Sequence, residues 1–403
     1  MKTISKSNYS SQILEKYYRF FFSVFMALYP ILCIYKGISR FTIGDVILIV
    51  FFIIAFLKQK SFSLDFRSFF IVAFVMYALI MLVANLLFFN LSAEHEPVAL
   101  FIRLIKFIFY MVCATTLGSK AILPRIFKKT LYFIGVLTCL FLILQYFMFY
   151  VHGSVIRGII PWLALHIEQY SLLDYELIYG YFFRPSSFFL EPSLFTHYII
   201  VPLVFALFDN STTKKSRRFF LIFILTVGII MSTAAQGLVY LAVAFIFYFI
   251  FSKNKKEKLL FLSLTLCVIV ILFFSTDIIQ TAFNRLLFDE EAANARLGSY
   301  LYCFKMSPLY MWFGHGYGAT ANNSFMAGAA YVWYGCGIIG LLLVFGIFAI
   351  MYKKSSNTIS KTLCIIFFVM FFGTGLFYNY MVFWYFSLIL ANNYVKTAPY
   401  LKE

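Results

Sequence analysis

This sequence has little charge, and least of all negative charge. Of its 403 residues 12% are charged and 16 are Asp or Glu, where a soluble domain averages about 25% charged. That shortage excludes an ordinary soluble chain. Metal-ligand spacing is missing as well: no His, Cys, Asp and Glu cluster resembles a metal site, so no metal is expected. The seven cysteines are Cys33, Cys113, Cys139, Cys267, Cys303, Cys336 and Cys364. All but Cys303 lie in hydrophobic stretches, so free thiols are expected and a disulfide framework is not. There is no serine triad, internal repeat or low-complexity segment. The closest glycine cluster, Gly314 to Gly318, is not a nucleotide fingerprint, because no strand-to-helix phosphate loop surrounds it.

Apolar residues make up the balance, 63% of the chain, with 22% aromatic. They fall in runs of roughly 17 to 21 residues, the length that crosses a bilayer. The pattern predicts an all-α integral membrane protein, one polytopic domain over residues 1–403, with the lipid bilayer as its first partner. The first run, Phe20 to Tyr35, is followed by Lys36-Gly37-Ile38-Ser39-Arg40 and not by a small-residue cleavage site. It reads as a span and not as a signal peptide.

The net charge of +17 raises nucleic acid as a partner, but its distribution argues against one. Basic residues cluster between alternate spans, the positive-inside pattern. Only Lys36, Arg40, Arg157, Arg184, Arg285, Arg296 and Lys305 fall in outer segments, and Arg103 and Lys106 lie within a span. The spans expected are about 20–35, 41–57, 69–89, 98–117, 131–151, 192–208, 259–275 and 328–352, plus two hairpins. One hairpin is Phe219 to Phe251, broken at Ser232-Thr233-Ala234-Ala235-Gln236-Gly237. As a single helix it would be about 50 Å long, against a hydrocarbon core of about 30 Å. Such interrupted spans often line a binding cavity, and a plain hairpin turn is the alternative. The other hairpin is Leu363 to Tyr394, broken at Tyr378-Asn379-Tyr380. The topology expected is about twelve transmembrane helices, both termini cytoplasmic, and two long outer loops at 152–188 and 276–327. In the first loop the apolar stretch 159–166 suits the interface.

Polar residues stand out against this background. Arg184-Pro185-Ser186-Ser187-Phe188-Phe189-Leu190-Glu191-Pro192-Ser193 joins a polar loop to a span. Pro192 suits the first turn of a helix, where its missing N–H costs nothing, and Glu191 then meets the positive end of the macrodipole. A carboxylate beside an arginine there can accept a proton or orient a substrate; a helix cap with an anchoring arginine is the plainer reading. Arg103 and Lys106, at i,i+3, share one helix face inside a span. Buried cations usually face a cavity or a partner, here suiting a lipid-linked phosphate; snorkelling or pairing with Glu94 or Glu96 is the alternative. The second loop holds Asn294-Ala295-Arg296, then Gly314-His315-Gly316-Tyr317-Gly318, whose glycines allow close backbone approach, and Asn322-Asn323-Ser324. His315 titrates near neutrality or is a hydrogen-bonded surface residue. Asp289-Glu290-Glu291 reads as solvated surface. With every candidate on the outer side, a carrier with a midplane site is disfavoured.

The Arg184 to Ser193 stretch resembles the arginine-to-glutamate–proline motif of bacterial O-antigen polymerases, the Wzy-type enzymes. The stretch from Arg296 through Pro308, Gly314-His315-Gly316, Asn323 and Gly335 to Gly340 is similar to that family and to the related O-antigen ligases. Ligases commonly carry asparagine–proline where this chain has Glu191-Pro192, and histidine before asparagine where it has Asn322 before Asn323. Both departures point to a polymerase. The resemblance implies a glycosyltransferase of the bacterial inner membrane with its site facing the periplasm. An undecaprenyl-diphosphate-linked oligosaccharide would be both donor and acceptor, no cofactor would be needed, and a chain-length regulator and a flippase would be partners. It further implies catalytic roles for Glu191 and Arg184 and substrate binding by Arg296, His315 and Asn323, to which Arg103 and Lys106 are added from their place inside a span. An O-antigen ligase, a transporter or flippase of polyprenyl-linked sugars, and a structural membrane subunit remain alternatives.

Overall fold

The computed structural model describes residues 6–58, 69–88, 97–118, 120–166, 178–179, 182–208, 215–252, 290–321 and 326–394. Among them the chain is helical apart from one short antiparallel pair, β1 (Ile178–Tyr179) and β2 (Phe182–Phe183). The helices long and apolar enough to cross a membrane are α3 (Phe69–Phe88), α4 (Pro97–Cys113, continued by a π-helical turn to Gly118), α5 (Pro124–His152) and α11 (Gly328–Lys354). Shorter apolar helices accompany them: α6 (Pro192–Phe208), α8 (Ala235–Phe251), α12 (Thr358–Gly373) and α13 (Met381–Tyr394). The remaining helices are α1 (Lys6–Leu32), α2 (Ile43–Lys58), α7 (Lys215–Met231), α9 (Glu290–Phe304) and α10 (Pro308–Phe313). This is a multi-pass helical membrane protein.

The boundaries follow the hydrophobic pattern closely. The helix expected at Pro192 begins there, and the long stretch ending at Phe251 is indeed two helices, α7 and α8, parted at residues 232–234. The last apolar stretch is likewise divided, between Gly373 and Met381. Helices α1 and α5 begin earlier than hydropathy suggests, so Lys16, Arg125, Lys128 and Lys129 are helical. The span expected at 259–275 lies outside the described residues.

At 17 residues, α6 reaches about 25 Å, short of a hydrocarbon core of about 30 Å. Its side chains from Phe195 to Leu207 are all buried. A helix enclosed by protein need not match the bilayer's thickness, because lipid is not its neighbour.

The chain divides into two compact units. The first comprises Met1–Lys60, Leu117–Gly237 and Tyr394–Glu403. Here α1 and α5 lie side by side, tied near both ends. The Ser23 hydroxyl donates to Arg19 O and accepts from Leu123 N, and Arg19 donates to Lys120 O. At the other end Lys36 N donates to Ala164 O and His166 N to Ile34 O. The apolar loop 159–166 is thus pinned to the end of α1, with Trp162 83% exposed, as an interfacial residue would be. Helix α2 starts with a reciprocal cap: Thr42 N donates to Asp45 Oδ2 at 3.0 Å, and Asp45 N to the Thr42 hydroxyl at 3.1 Å. Two of the orphan amides of a helix start are thereby satisfied, which makes a fully buried Asp45 tolerable. Buried Arg218, in α7, caps the far end of α6 by donating to Ala206 O and Leu207 O. Cations are favoured at that end of a helix.

The second unit comprises Ser61–Thr116 and Leu238–Asn393. Its core is aromatic: Phe74, Phe107, Tyr317, Phe348, Phe371 and Phe377 pack ring against ring. Helix α11 is interrupted at Gly337 (φ 65°, ψ −173°). An interruption frees carbonyls that helical amides would otherwise bond, and inside a span they need other donors. They receive them. Tyr334 O accepts from His315 N, Gly335 O from Gly316 N, and Cys336 O from the Tyr77 hydroxyl of α3.

Candidate functional site

In the first unit the Arg184 to Ser193 segment is built onto one polar strip of α5. Thr138 and Gln145, two turns apart, are both buried. Gln145 Oε1 accepts from Ser187 N at 2.8 Å, and its Nε2 donates to Ile156 O at 2.8 Å. The Ser187 hydroxyl donates to Thr138 O at 2.7 Å. These bonds hold Ser187 in a left-handed conformation, φ 54°, which a serine adopts only when its surroundings enforce it. Gly158 closes the other side: a Cβ there would lie 1.9 Å from Ser187 O. Aromatic stacking fixes the flanks, Phe183 on Phe149 at 4.6 Å and Phe188 on Phe141 at 4.6 Å. Arg184 therefore leaves a rigid strand end, half-buried.

Glu191 occupies the position just before α6, and its carbonyl accepts from Phe195 N. Pro192 is the first helical residue. The Glu191 carboxylate accepts a hydrogen bond from the Ser193 hydroxyl at 2.8 Å. A half-buried carboxylate is favoured at the positive end of a helix, and its oxygens can accept a further hydrogen bond from a hydroxyl.

The break between α7 and α8 comes to this same part of α6. A Cβ on Gly237 would meet Thr196 at 2.7 Å, so the first turns of α6 and α8 are in close contact. Gln236 hydrogen-bonds the His197 side chain. Thr233, at φ 54°, turns the chain, and its buried hydroxyl has no hydrogen-bond partner among the described residues. Glu191, Ser193, Thr196, His197 and Gln236 thus gather around the first turns of α6. The sequence displayed Glu191 and the break as separate features. His197 escaped notice because a lone histidine inside an apolar run carries no motif.

The second unit holds the other candidates. In α4 the Arg103 guanidinium donates to Gly318 O. Lys106, one turn on, is half-buried. The glycine-rich turn has positive φ at Gly314, Gly316 and Gly318. The close approach these glycines permit is to the protein itself: a Cβ on Gly314 would fall 2.5 Å from the backbone of Gly335 and Cys336. Asn85 supports the turn by donating to Gly314 O. The His315 ring is stacked between Tyr310 and Tyr334, centroids 4.0 and 4.5 Å away. Part of the expected second loop therefore packs against α3, α4 and α11.

Cys303, the one cysteine outside a hydrophobic run, bonds Ala330 O and is buried, which pushes its thiol up to about 12. It remains protonated near neutrality and serves as a packing contact, not a nucleophile. The Tyr300 hydroxyl, also raised by burial to about 12, donates to Phe372 O.

Of the residues singled out in the sequence, Arg184 and Glu191 belong to the first unit, and Arg103, Lys106, Arg296 and His315 to the second. Arg296 falls within α9, and Asn323 lies outside the described residues. No group of three or more His, Cys, Asp or Glu positioned for a metal occurs among the described residues, and their cysteines are free thiols. No protein-family model and no curated protein matches the chain.

Proposed function

We propose that this chain is an O-antigen polymerase, a glycosyltransferase that joins lipid-linked oligosaccharide repeat units at the periplasmic face of the inner membrane. The observation that carries the reading is the Glu191 site. A carboxylate stands at a helix start, on a segment braced by Gln145 and Ser187, with Arg184 on the same segment and further polar groups gathered around the first turns of the helix.

In this reading the acceptor hydroxyl attacks the anomeric carbon of the donor glycan. The new glycosidic bond forms as the bond to the lipid diphosphate breaks, and that diphosphate leaves with the electron pair. The transition state is oxocarbenium-like. Glu191 takes or orients the hydroxyl proton. Arg184 holds the departing diphosphate, for which a planar, permanently charged guanidinium is suited. Arg103, Lys106, Arg296, His315 and Asn323 remain candidates for substrate binding, separate from the Glu191 site. Twelve spans with both termini in the cytoplasm would put the 152–188 segment in the periplasm with its lipid-linked substrates. A flippase would deliver them, and a chain-length regulator would set when extension stops.

The test is a glycan ladder from a deletion strain complemented with Glu191→Gln, with protein level checked by blot. The variant keeps shape and loses charge, and polymer should fall about 10²–10⁴-fold, the contribution of a positioned general base. Lipid A–core capped with a single repeat unit marks a polymerase defect. Bare core with accumulated lipid-linked polymer in the deletion strain marks a ligase, and bare core with single units trapped inside marks a flippase. A full ladder at equal expression removes Glu191 from the mechanism.

A further inference from the structure

A second polar group sits beside Arg184. Tyr146, in the last two turns of α5, is 5% exposed, and its hydroxyl has no hydrogen-bond partner among the described residues. Arg184 lies within electrostatic reach of that hydroxyl. The arrangement is fixed by rings. Phe183, the residue before Arg184, is stacked on Phe149 at 4.6 Å and meets Tyr146 edge-on at 6.1 Å. Tyr150 stacks on Tyr146 at 5.7 Å and 7°, and it is 54% exposed, so the cluster opens outward on that side.

An unpaired buried hydroxyl is a cost that natural structures rarely carry without a reason. Beside a guanidinium the reason is chemical. A phenol O–H can donate to an oxyanion while the arginine meets its charge, and both bonds are then charge-assisted. Resting on the reading of Arg184 above, we propose that Tyr146 and Arg184 form a diphosphate-binding subsite, with the Tyr146 hydroxyl donating to a phosphate oxygen. A cation would be repelled by Arg184, and a purely apolar group would leave the hydroxyl unpaired. An anion satisfies both groups, and with the lipid-diphosphate substrate of the reading above that anion is a phosphate or diphosphate, on a lipid or free.

The experiment uses the full chain purified in nanodiscs, with inorganic pyrophosphate as the probe. Tyr146→Phe deletes one oxygen and keeps the ring stack. Its melting temperature should equal or exceed that of the wild type, because an unpaired polar atom is removed. Its affinity for pyrophosphate should fall about tenfold or more, the loss of a hydrogen bond to a charged group. Competition separates the sources. Discs containing undecaprenyl diphosphate should displace the probe and discs containing phosphatidylglycerol should not. Displacement by phosphatidylglycerol would make this a bulk headgroup contact and overturn the proposal. Wild-type pyrophosphate affinity in Tyr146→Phe, with loss in Arg184→Gln, would overturn the Tyr146 role and leave Arg184 standing. Unchanged affinity in Arg184→Gln would remove the phosphate role of Arg184 and this proposal with it. A lower melting temperature with unchanged affinity in Tyr146→Phe would show a packing role only.

Discussion

Gln145→Leu is the most direct perturbation of the braced segment. The two side chains are close in volume, so packing changes little and the hydrogen bonds are what is lost. Gln145 is 2% exposed and serves Ser187 N and Ile156 O, each at 2.8 Å. Leucine leaves that amide and that carbonyl buried without these partners, at about 1–3 kcal/mol each, roughly 2–6 in all. Burying the leucine returns roughly 1.5–3 kcal/mol, so the net loss is on the order of 2 kcal/mol. The loss should be local before it is global. Ser187 is left-handed and only enforced, so the freed segment relaxes toward extended backbone and Arg184 and Glu191 lose their fixed geometry. Hydrogen exchange in detergent should show amide protection falling across 184–191 while α1 and α2 keep theirs. Polymer length in complemented cells should fall with it. Unchanged exchange at Ser187, with unfolding free energy within about 0.5 kcal/mol of wild type, would refute the idea that Gln145 positions the segment.

Two further substitutions test the backbone directly. Ser187→Gly loses the bond to Thr138 O, worth about 1 kcal/mol, but relieves left-handed strain of about 1 kcal/mol or more, so its melting temperature should stay close to wild type. Ser187→Val loses the same bond and adds β-branched strain, about 2–4 kcal/mol in all, and should melt clearly lower; equal melting of the two would mean that φ at 187 is not enforced. Gly337→Ala would place a Cβ 2.1 Å from Trp312 O at a φ only glycine tolerates. It should displace the His315 turn at a cost on the order of 4 kcal/mol, read as lost amide protection at His315 and Gly316; retained protection there would show that the turn does not depend on the break.

What the sequence displayed depended on the range over which each feature acts. The ends of α3, α4, α6 and α11 were legible because hydropathy and a proline act over a few residues. The break between α7 and α8 was legible by length alone, since one helix would overshoot the bilayer. Pro192 announced the start of α6, and Glu191 with it. The supports of these features were not legible, because they act across the chain. Gln145 is 42 residues from Ser187, and Tyr77 is 259 from Cys336. Nothing in either sequence neighbourhood marks the partnership. The glycines at 314, 316 and 318 show the limit from the other side. Their pattern correctly signals close backbone approach, but the pattern is the same whether the approaching group is a ligand or the protein.

That ambiguity has a physical resolution in this molecule. A span interrupted inside a membrane must find donors for its freed carbonyls, and α11 finds them in the His315 turn and Tyr77. Those glycines are therefore accounted for by the fold, with Arg103 holding the turn through Gly318 O. The Tyr146 hydroxyl stands in the opposite position, buried with no hydrogen-bond partner among the described residues. Ser187, Gln145 and the stacked phenylalanines explain why the neighbouring segment is where it is, and none of them requires a phenolic oxygen beside it. A buried polar group that the packing does not call for, next to a segment that the fold goes to some expense to hold still, is one on which binding is to be sought.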